Sequence, residues 1–257
     1  MSTSSYTFTS KTTDFTTYLS NSINLIGKKC EVALVRLETF NSFPNIKENV
    51  NNELRYSPDN GTTWKDLLFD TGSYEIVDIN IEIARQMTNN GDYDAINNES
   101  YINVLIFSSR IIVIIKNDRY KVDFGGRKSI GKLLGFPSII LDEGYHKSSN
   151  LVDINPITSI FVHIDIVSGS FLNGSKSQII YTFAPAVKPG AKIIEKPSPH
   201  EYLPISQSMI SKVRIWLTDE DNMPVDNKGE DLIVRLAIRE IINLEESFIN
   251  AMVKMKE

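Results

Sequence analysis

The sequence predicts a mainly β protein: a single jelly-roll β-sandwich with a mixed α/β insertion domain. Three observations lead there. Apolar and polar residues alternate with period two through short runs near both ends of the chain. Eight such runs, joined by long Gly-, Pro-, Ser- and Asn-rich connections, suit two four-stranded sheets packed face to face. Between the second and third runs, helical spacing interrupts the alternation.

The first expected strand covers about residues 5–16 and the second about 30–40. In KKCEVALVRLETF, Cys30, Val32 and Leu34 point one way while Glu31, Ala33 and Val35 point the other. The mixed region, 48–150, opens with NELRYSPDNGTTWKDLLFD. Pro-Asp-Asn-Gly between two candidate strands is a hairpin signal. GSYEIVDINIEIARQMTNNG then sets Ile76, Ile79, Ile83 and Met87 at helical spacing, with Ser73 as cap and Gly91 beyond the end. INVLIFSSRIIVIIKNDRYKVDF reads as two or three strands, with Asn117-Asp118 as a turn. RKSIGKLLGF reads as a short helix that packs Ile130, Leu133, Leu134 and Phe136 inside the insertion.

Six expected strands follow, at about 158–167, 178–184, 191–195, 200–206, 211–219 and 231–239. The most regular are SKVRIWLTD, with Val213, Ile215 and Leu217 on one side, and EDLIVRLAIRE, with Leu232, Val234, Leu236 and Ile238. Pro224 and Gly229 break the link between them. The jelly roll therefore takes residues 1–47 and 151–240. Residues 241–257 form a C-terminal helical tail, with Ile241, Leu244, Phe248 and Met252 at helical spacing, packing on its own domain or on a neighbour.

At 257 residues the chain buries enough surface to fold without staples. Cys30 is the only cysteine, so there is no disulfide framework, and assembly in a reducing compartment suits it. The N-terminus is polar and Thr/Ser-rich, and the longest apolar runs fall far short of the roughly 20 residues of a membrane span. No membrane span is expected. Three glycosylation sequons, starting at Asn60, Asn98 and Asn173, read as turns. A net charge of −5 argues against generic nucleic-acid binding, and no sequence-specific nucleic-acid partner is expected. The one basic concentration, Arg119, Lys121, Arg127, Lys128 and Lys132, suits either a nucleic-acid contact or a solvated sheet edge.

VDFGGRKSIGKLLGFPSIILDE (122–143) imitates a phosphate loop, since Gly126, Gly131 and Lys132 fit G-x-x-x-x-G-K. Two features oppose that reading. Leu133 stands where a magnesium-binding hydroxyl is needed, and Asp142 follows Lys132 too soon for a crossover to a parallel strand. His163 and Asp165 share a strand face, which suits a satisfied structural pair better than a metal site; His146 and His200 pair with nothing. TDEDN (218–222) clusters carboxylates but lacks the later glycine and closing glutamate of a calcium loop. Cys30, beside Lys28 and Lys29, reads as a half-buried apolar residue rather than a nucleophile. No catalytic residue, metal site or cofactor is expected.

KVRIWLTDEDNMPVDNKGEDLIVRLAIRE resembles the closing strands of penton, or minor capsid, proteins of the Polinton (Maverick) and virophage lineage: a strand ending in Asp, a turn, x-P-[IV]-D, Gly, then a strand ending in Arg. TGSYEIVDINIEIARQM, KSIGKLLGF, EVALVRLETFNSFPNI and EYLPIS resemble further segments of that family in order, over about residues 25–239. The tail after Arg239 departs from the pattern. The resemblance implies a jelly-roll capsomer forming a homopentamer at the five-fold vertices of an icosahedral double-stranded DNA virus particle. It implies the major capsid protein of the same virion as a partner, an insertion that projects outward or caps the pentamer and offers a surface for a host receptor, and residence in the virion after synthesis in host cytoplasm or a virus factory. Expected interface positions are Phe8, Phe15 and the Phe248–Met252 face.

Two other readings compete. A jelly-roll carbohydrate- or ligand-binding module would gather aromatic and acidic side chains on one loop face, whereas Trp64, Trp216 and Tyr202 lie scattered along the sequence. A cupin-like oxygenase would need two or three histidines and a carboxylate at set spacing, and the sequence lacks them.

Overall fold

The computed structural model describes residues 3–154 and 157–241. The chain opens with β1 (Thr3–Ser10), β2 (Asp14–Asn24) and β3 (Cys30–Phe40). There follow β4 (Glu53–Ser57), β5 (Lys65–Leu68), α1 (Ile76–Asn89), the pair β6 (Tyr93–Asp94) and β7 (Glu99–Ser100), β8 (Ile102–Phe107) and β9 (Arg110–Ile115). β10 (Lys121–Asp123), β11 (Ile140–Leu141) and β12 (Gly144–Lys147) complete the central region. The last part holds β13 (Ile160–Ile164), the hairpin β14 (Ser170–Leu172) and β15 (Ser175–Ser177), β16 (Ile179–Phe183), β17 (Lys192–Glu195), β18 (Leu203–Pro204), β19 (Met209–Thr218) and β20 (Leu232–Glu240).

Two compact units emerge. Among the described residues, one unit holds 3–41, 157–187 and 191–241; the other holds 42–154 with 188–190. Residues 42–47 and 151–154 thus join the insertion rather than the sandwich.

The first unit is a β-sandwich. One sheet has the order β1-β20-β3-β17 and the other β16-β13-β19-β2, with every neighbouring pair antiparallel. β1 and β2, β2 and β3, β16 and β17, and β19 and β20 are successive strands placed in opposite sheets. That criss-cross is the jelly-roll winding. Alternation explains which side is buried. Val32, Leu34, Leu37, Val234 and Leu236 line the inside of one sheet, and Val162, Ile164, Val213, Ile215 and Leu217 the inside of the other. Between Leu34 and Leu37 the period slips, because Leu236 faces Leu34 while Arg235 faces Arg36. Val35 is therefore the extra residue of a β-bulge, and both halves of β3 keep their apolar side inward.

Among the described residues the two sheets hold nine strands rather than the expected eight, and their distribution differs from expectation. The expected strand 5–16 is two strands joined at Lys11–Thr13, where the Ser10 hydroxyl accepts the Thr12 amide at 3.0 Å. The expected strand 200–206 contracts to the two-residue β18, which pairs with β3. Three sandwich strands consequently precede the insertion, which lies between the third and fourth rather than the second and third.

In the second unit, a four-stranded sheet (β11-β10-β4-β5), a three-stranded sheet (β12-β9-β8) and α1 enclose their own core. α1 buries Ile76, Ile79, Ile83 and Met87, the residues whose spacing predicted it. Its N-cap is Glu75, not Ser73: the Glu75 amide donates to the Asp78 carboxylate at 2.9 Å. The Pro-Asp-Asn-Gly turn joins β4 and β5, with Asn60 and Gly61 at positive φ. RKSIGKLLGF is a single helical turn rather than a helix. The Leu134 amide bonds the Ile130 carbonyl, and the Phe136 amide then reaches back to Gly131 at 2.8 Å across Gly135 (φ 79°). That left-handed glycine stops the helix after one turn.

Candidate functional site

A site for chemistry would need unsatisfied or poised groups, so each cluster of polar side chains is considered with its partners. On the outer face of the β13-β19 sheet, the His163 ring stacks on Trp216 with centroids 4.9 Å apart, and its Nε2 meets the Thr218 hydroxyl at 2.9 Å. Burial pushes the His163 pKa down to about 4, so the ring is neutral near pH 7. Beside it the Arg214 guanidinium sits 4.8 Å from the Trp216 centroid and donates twice to Asp14, at 2.9 and 2.7 Å. That hydrogen bonding holds the Asp14 carboxyl below its ordinary pKa. Asp165, expected as the partner of His163, instead accepts the Arg214 amide at 3.0 Å.

Trp216 and His163 also form one wall of a cavity of about 670 Å³. Phe171, Lys176 and the serines of the β14–β15 hairpin also line it. No carboxylate lines it.

In the insertion, Asp92 accepts the Tyr56 hydroxyl at 2.6 Å and the Lys65 ammonium at 2.6 Å. Asn90 donates to the Tyr56 oxygen at 3.0 Å, and Tyr101 stacks on Tyr120. Burial, reinforced by Asp92, raises both phenols, Tyr120 to about 12. Both therefore stay protonated at neutral pH. The cluster is closed by its own members, and it ties the segment after α1 to the sheet below.

The glycine stretch resolves as turn chemistry. β10, before it, and β11, after it, are antiparallel neighbours, which a phosphate-loop crossover forbids. The Asp142 carboxylate pairs with Lys121 at 2.8 Å. Gly131 is demanded by packing: a Cβ there would stand 2.9 Å from the Phe124 Cβ. Leu133, Leu134 and Phe136 are buried, with Phe136 stacked on Phe124 at 4.8 Å. A shallower cavity of about 500 Å³ opens beside this turn, lined in part by Arg127, Lys132 and Asp153.

The remaining candidates from the sequence take structural positions. Glu220 accepts the Thr158 hydroxyl at 2.7 Å and the amides of Thr158 and Ser159, while Asp219 caps its own turn through the amides of Asp221 and Met223. Cys30 is half-buried, and burial raises its thiol pKa. Among the described residues no group of three metal-binding side chains converges, and no helix is long and apolar enough to cross a membrane. Phe8 and Phe15 correct an expectation. Phe8 is buried opposite Val234 and half-buried Phe15 pairs with Ile215, so both lie on the inner faces of their sheets. Missing the turn at Lys11–Thr13 hid this register. Phe248 and Met252 lie outside the described residues.

One feature escaped the candidate residues chosen from sequence. On the outward face of the β12-β9-β8 sheet, Leu105, Phe107, Ile112, Ile114 and Tyr145 stand together, related by cross-strand pairing. The signal for it was RIIVIIK, an apolar run without alternation.

No family model matches the sequence, and no curated protein does. Solved structures do. A crystal structure of the mavirus penton protein matches with a TM-score of 0.52 over 94% of this chain and 100% of that one, at 12% identity. What the likeness establishes is the fold: this chain has a penton-like architecture.

Proposed function

We propose that this chain is a structural subunit of a viral capsid, and in particular the penton protein that closes the five-fold vertices as a homopentamer. The observation that supports this most is the penton-like fold extending over nearly the whole chain, insertion included. Chemistry agrees with a building role. The groups whose pKa values burial displaces most each have a partner within the fold: His163 has Thr218, Tyr56 and Tyr120 have Asp92, and Tyr181 has Glu195. On this reading the chain is no enzyme and needs no cofactor. Its partners are four further copies, the major capsid protein of the same icosahedral particle, and a host receptor docking on the insertion. Its location is the virion vertex.

The test is the mass of the purified protein in solution, followed by imaging, alone and with the major capsid protein. Rings of five that join capsid assemblies are expected. A strict monomer at high concentration that fails to join the major capsid protein overturns the proposal.

One observation favours a second reading, a carbohydrate-binding module. The cavity lined by Trp216 and Phe171 is within the usual volume of small-ligand sites and is rich in hydroxyl and amide groups. Glycan-array binding by the isolated protein, lost on Phe171→Ala, would select this reading.

A further inference from the structure

An uninterrupted apolar strand is the mark of a sheet buried on both faces. β9, RIIVII, is such a strand, yet only Ile111, Val113 and Ile115 are buried. Its other side, Ile112 and Ile114, is flanked by Leu105 and Phe107 from β8 and by Tyr145 from β12. Leu105, Phe107 and Tyr145 are 46, 59 and 78% exposed. Isolated exposed apolar residues are ordinary, but a contiguous patch across three strands marks an interaction site.

Charge around the patch indicates what covers it. Among the described residues its two cations have no carboxylate partner: Arg110 donates to the carbonyls of Ser148 and Ser149, and Lys147 lies 5.5 Å from the Phe107 ring centroid. The complementary surface lies on the same unit. The outward side of α1 carries Val77 and Ile81, one helical turn apart and 59 and 61% exposed. Beside them Glu75 and Asp78 close the helix's capping box, and among the described residues neither carboxylate forms an ion pair, while Arg85, one turn beyond Ile81, is held by Glu82. One surface is apolar with a net positive rim, from Arg110 and Lys147, and the other is apolar with a net negative one, since Glu75, Asp78 and Glu82 outweigh Arg85.

We propose that the outward face of the β12-β9-β8 sheet receives the outward stripe of α1 from a second copy of this chain. The contact is heterologous, since the two surfaces differ, and such contacts propagate head to tail until a ring closes. This deepens the capsid reading and rests on it, by assigning part of the subunit contact to the insertion.

Cross-linking tests it, in full-length protein carrying Cys30→Ala. Ile81→Cys and Tyr145→Cys are introduced singly and together, and each protein is treated with a short bis-maleimide. The expected result is no product from either single variant, dimers when the two are mixed, and a ladder ending at the closed ring from the double variant. Tyr145→Asp and Ile81→Asp are each expected to weaken self-association at least tenfold while circular dichroism stays unchanged. Efficient coupling of Tyr145→Cys with itself overturns the proposal, because it shows a symmetric contact. Native oligomers that neither cross-link nor respond to the aspartates also overturn it, and leave the capsid reading standing. A wild-type monomer that ignores the major capsid protein removes both.

Discussion

The Arg239 guanidinium lies 3.6 Å from the centroid of the Tyr202 ring. The same guanidinium donates from Nε and Nη2 to one Glu31 oxygen, at 3.0 and 2.8 Å. Arg239 stands on β20 and Glu31 opposite it on β3, so the pair is fixed by sheet register. Tyr202 belongs to the irregular segment that ends in β18. A single arginine thus pins an irregular stretch against the outer face of the sandwich, where Ala33 and Ala237 are buried beneath it.

That arrangement predicts a measurable coupling. A double-mutant cycle with Arg239→Met and Tyr202→Leu, read by urea unfolding, should give about 1 kcal/mol of interaction energy. The methionine keeps the aliphatic packing of the arginine stem. Additivity within error would show that ring and guanidinium are neighbours without attraction.

The turn in the glycine stretch predicts a contrast among three glycines. Gly135 has φ 79°, and a Cβ there would lie 2.5 Å from the Asn150 carbonyl oxygen. Gly135→Ala should cost about 3 kcal/mol or more, from left-handed strain and a backbone clash together. Gly131→Ala meets the Phe124 side chain and should also destabilise, though less, because a side chain yields more readily. Gly126→Ala has nothing within 4 Å and should change stability by no more than about 0.5 kcal/mol. A phosphate-binding role would make Gly126 sensitive in a nucleotide-binding assay, so the same three variants also check the phosphate-loop reading.

The buried Asp92 predicts an asymmetry. Asp92→Ala leaves the buried Tyr56 hydroxyl without its acceptor and breaks the ion pair of Lys65, whose ammonium reaches solvent, and should cost about 2–3 kcal/mol. Tyr56→Phe removes one neutral donor and should cost about 1 kcal/mol. Equal losses would mean that the cluster is held by packing rather than by the carboxylate.

How much of this could be read from residues alone varies by element, for physical reasons. β19 and β20 show because one face of each is apolar at every second position, and all seven predicted inward residues are buried. α1 shows because Ile76, Ile79, Ile83 and Met87 leave no other register. The first turn does not show. TFTSKTTDFTT carries no glycine or proline to mark it, and hydroxyl bonds among Ser10, Thr12 and the Asp14 carbonyl hold the corner instead. The helix expected at SIGKLL carried correct spacing, but Gly135 ends it early. The candidate interaction face was half legible. RIIVIIK announced two buried faces, while the pairing that gathers Leu105, Phe107 and Tyr145 around it depends on tertiary contacts that periodicity does not encode.

The neutral His163 predicts how stability responds to acid. Its pKa is about 4 in the folded chain because burial against Trp216 penalises the charged ring, against 6.5 when solvated. Between these values the unfolded chain binds the proton and the folded chain does not. Stability is therefore full above about pH 6.5 and falls as pH drops toward 4. The loss from this group alone should approach about 3 kcal/mol by pH 4. His163→Gln keeps a hydrogen-bonding group for Thr218 but cannot titrate. It should lower stability at pH 7 and flatten the slope between pH 6.5 and 4. Urea midpoints at half-unit pH intervals read the difference directly, and parallel curves for the two proteins would assign the acid sensitivity to other groups.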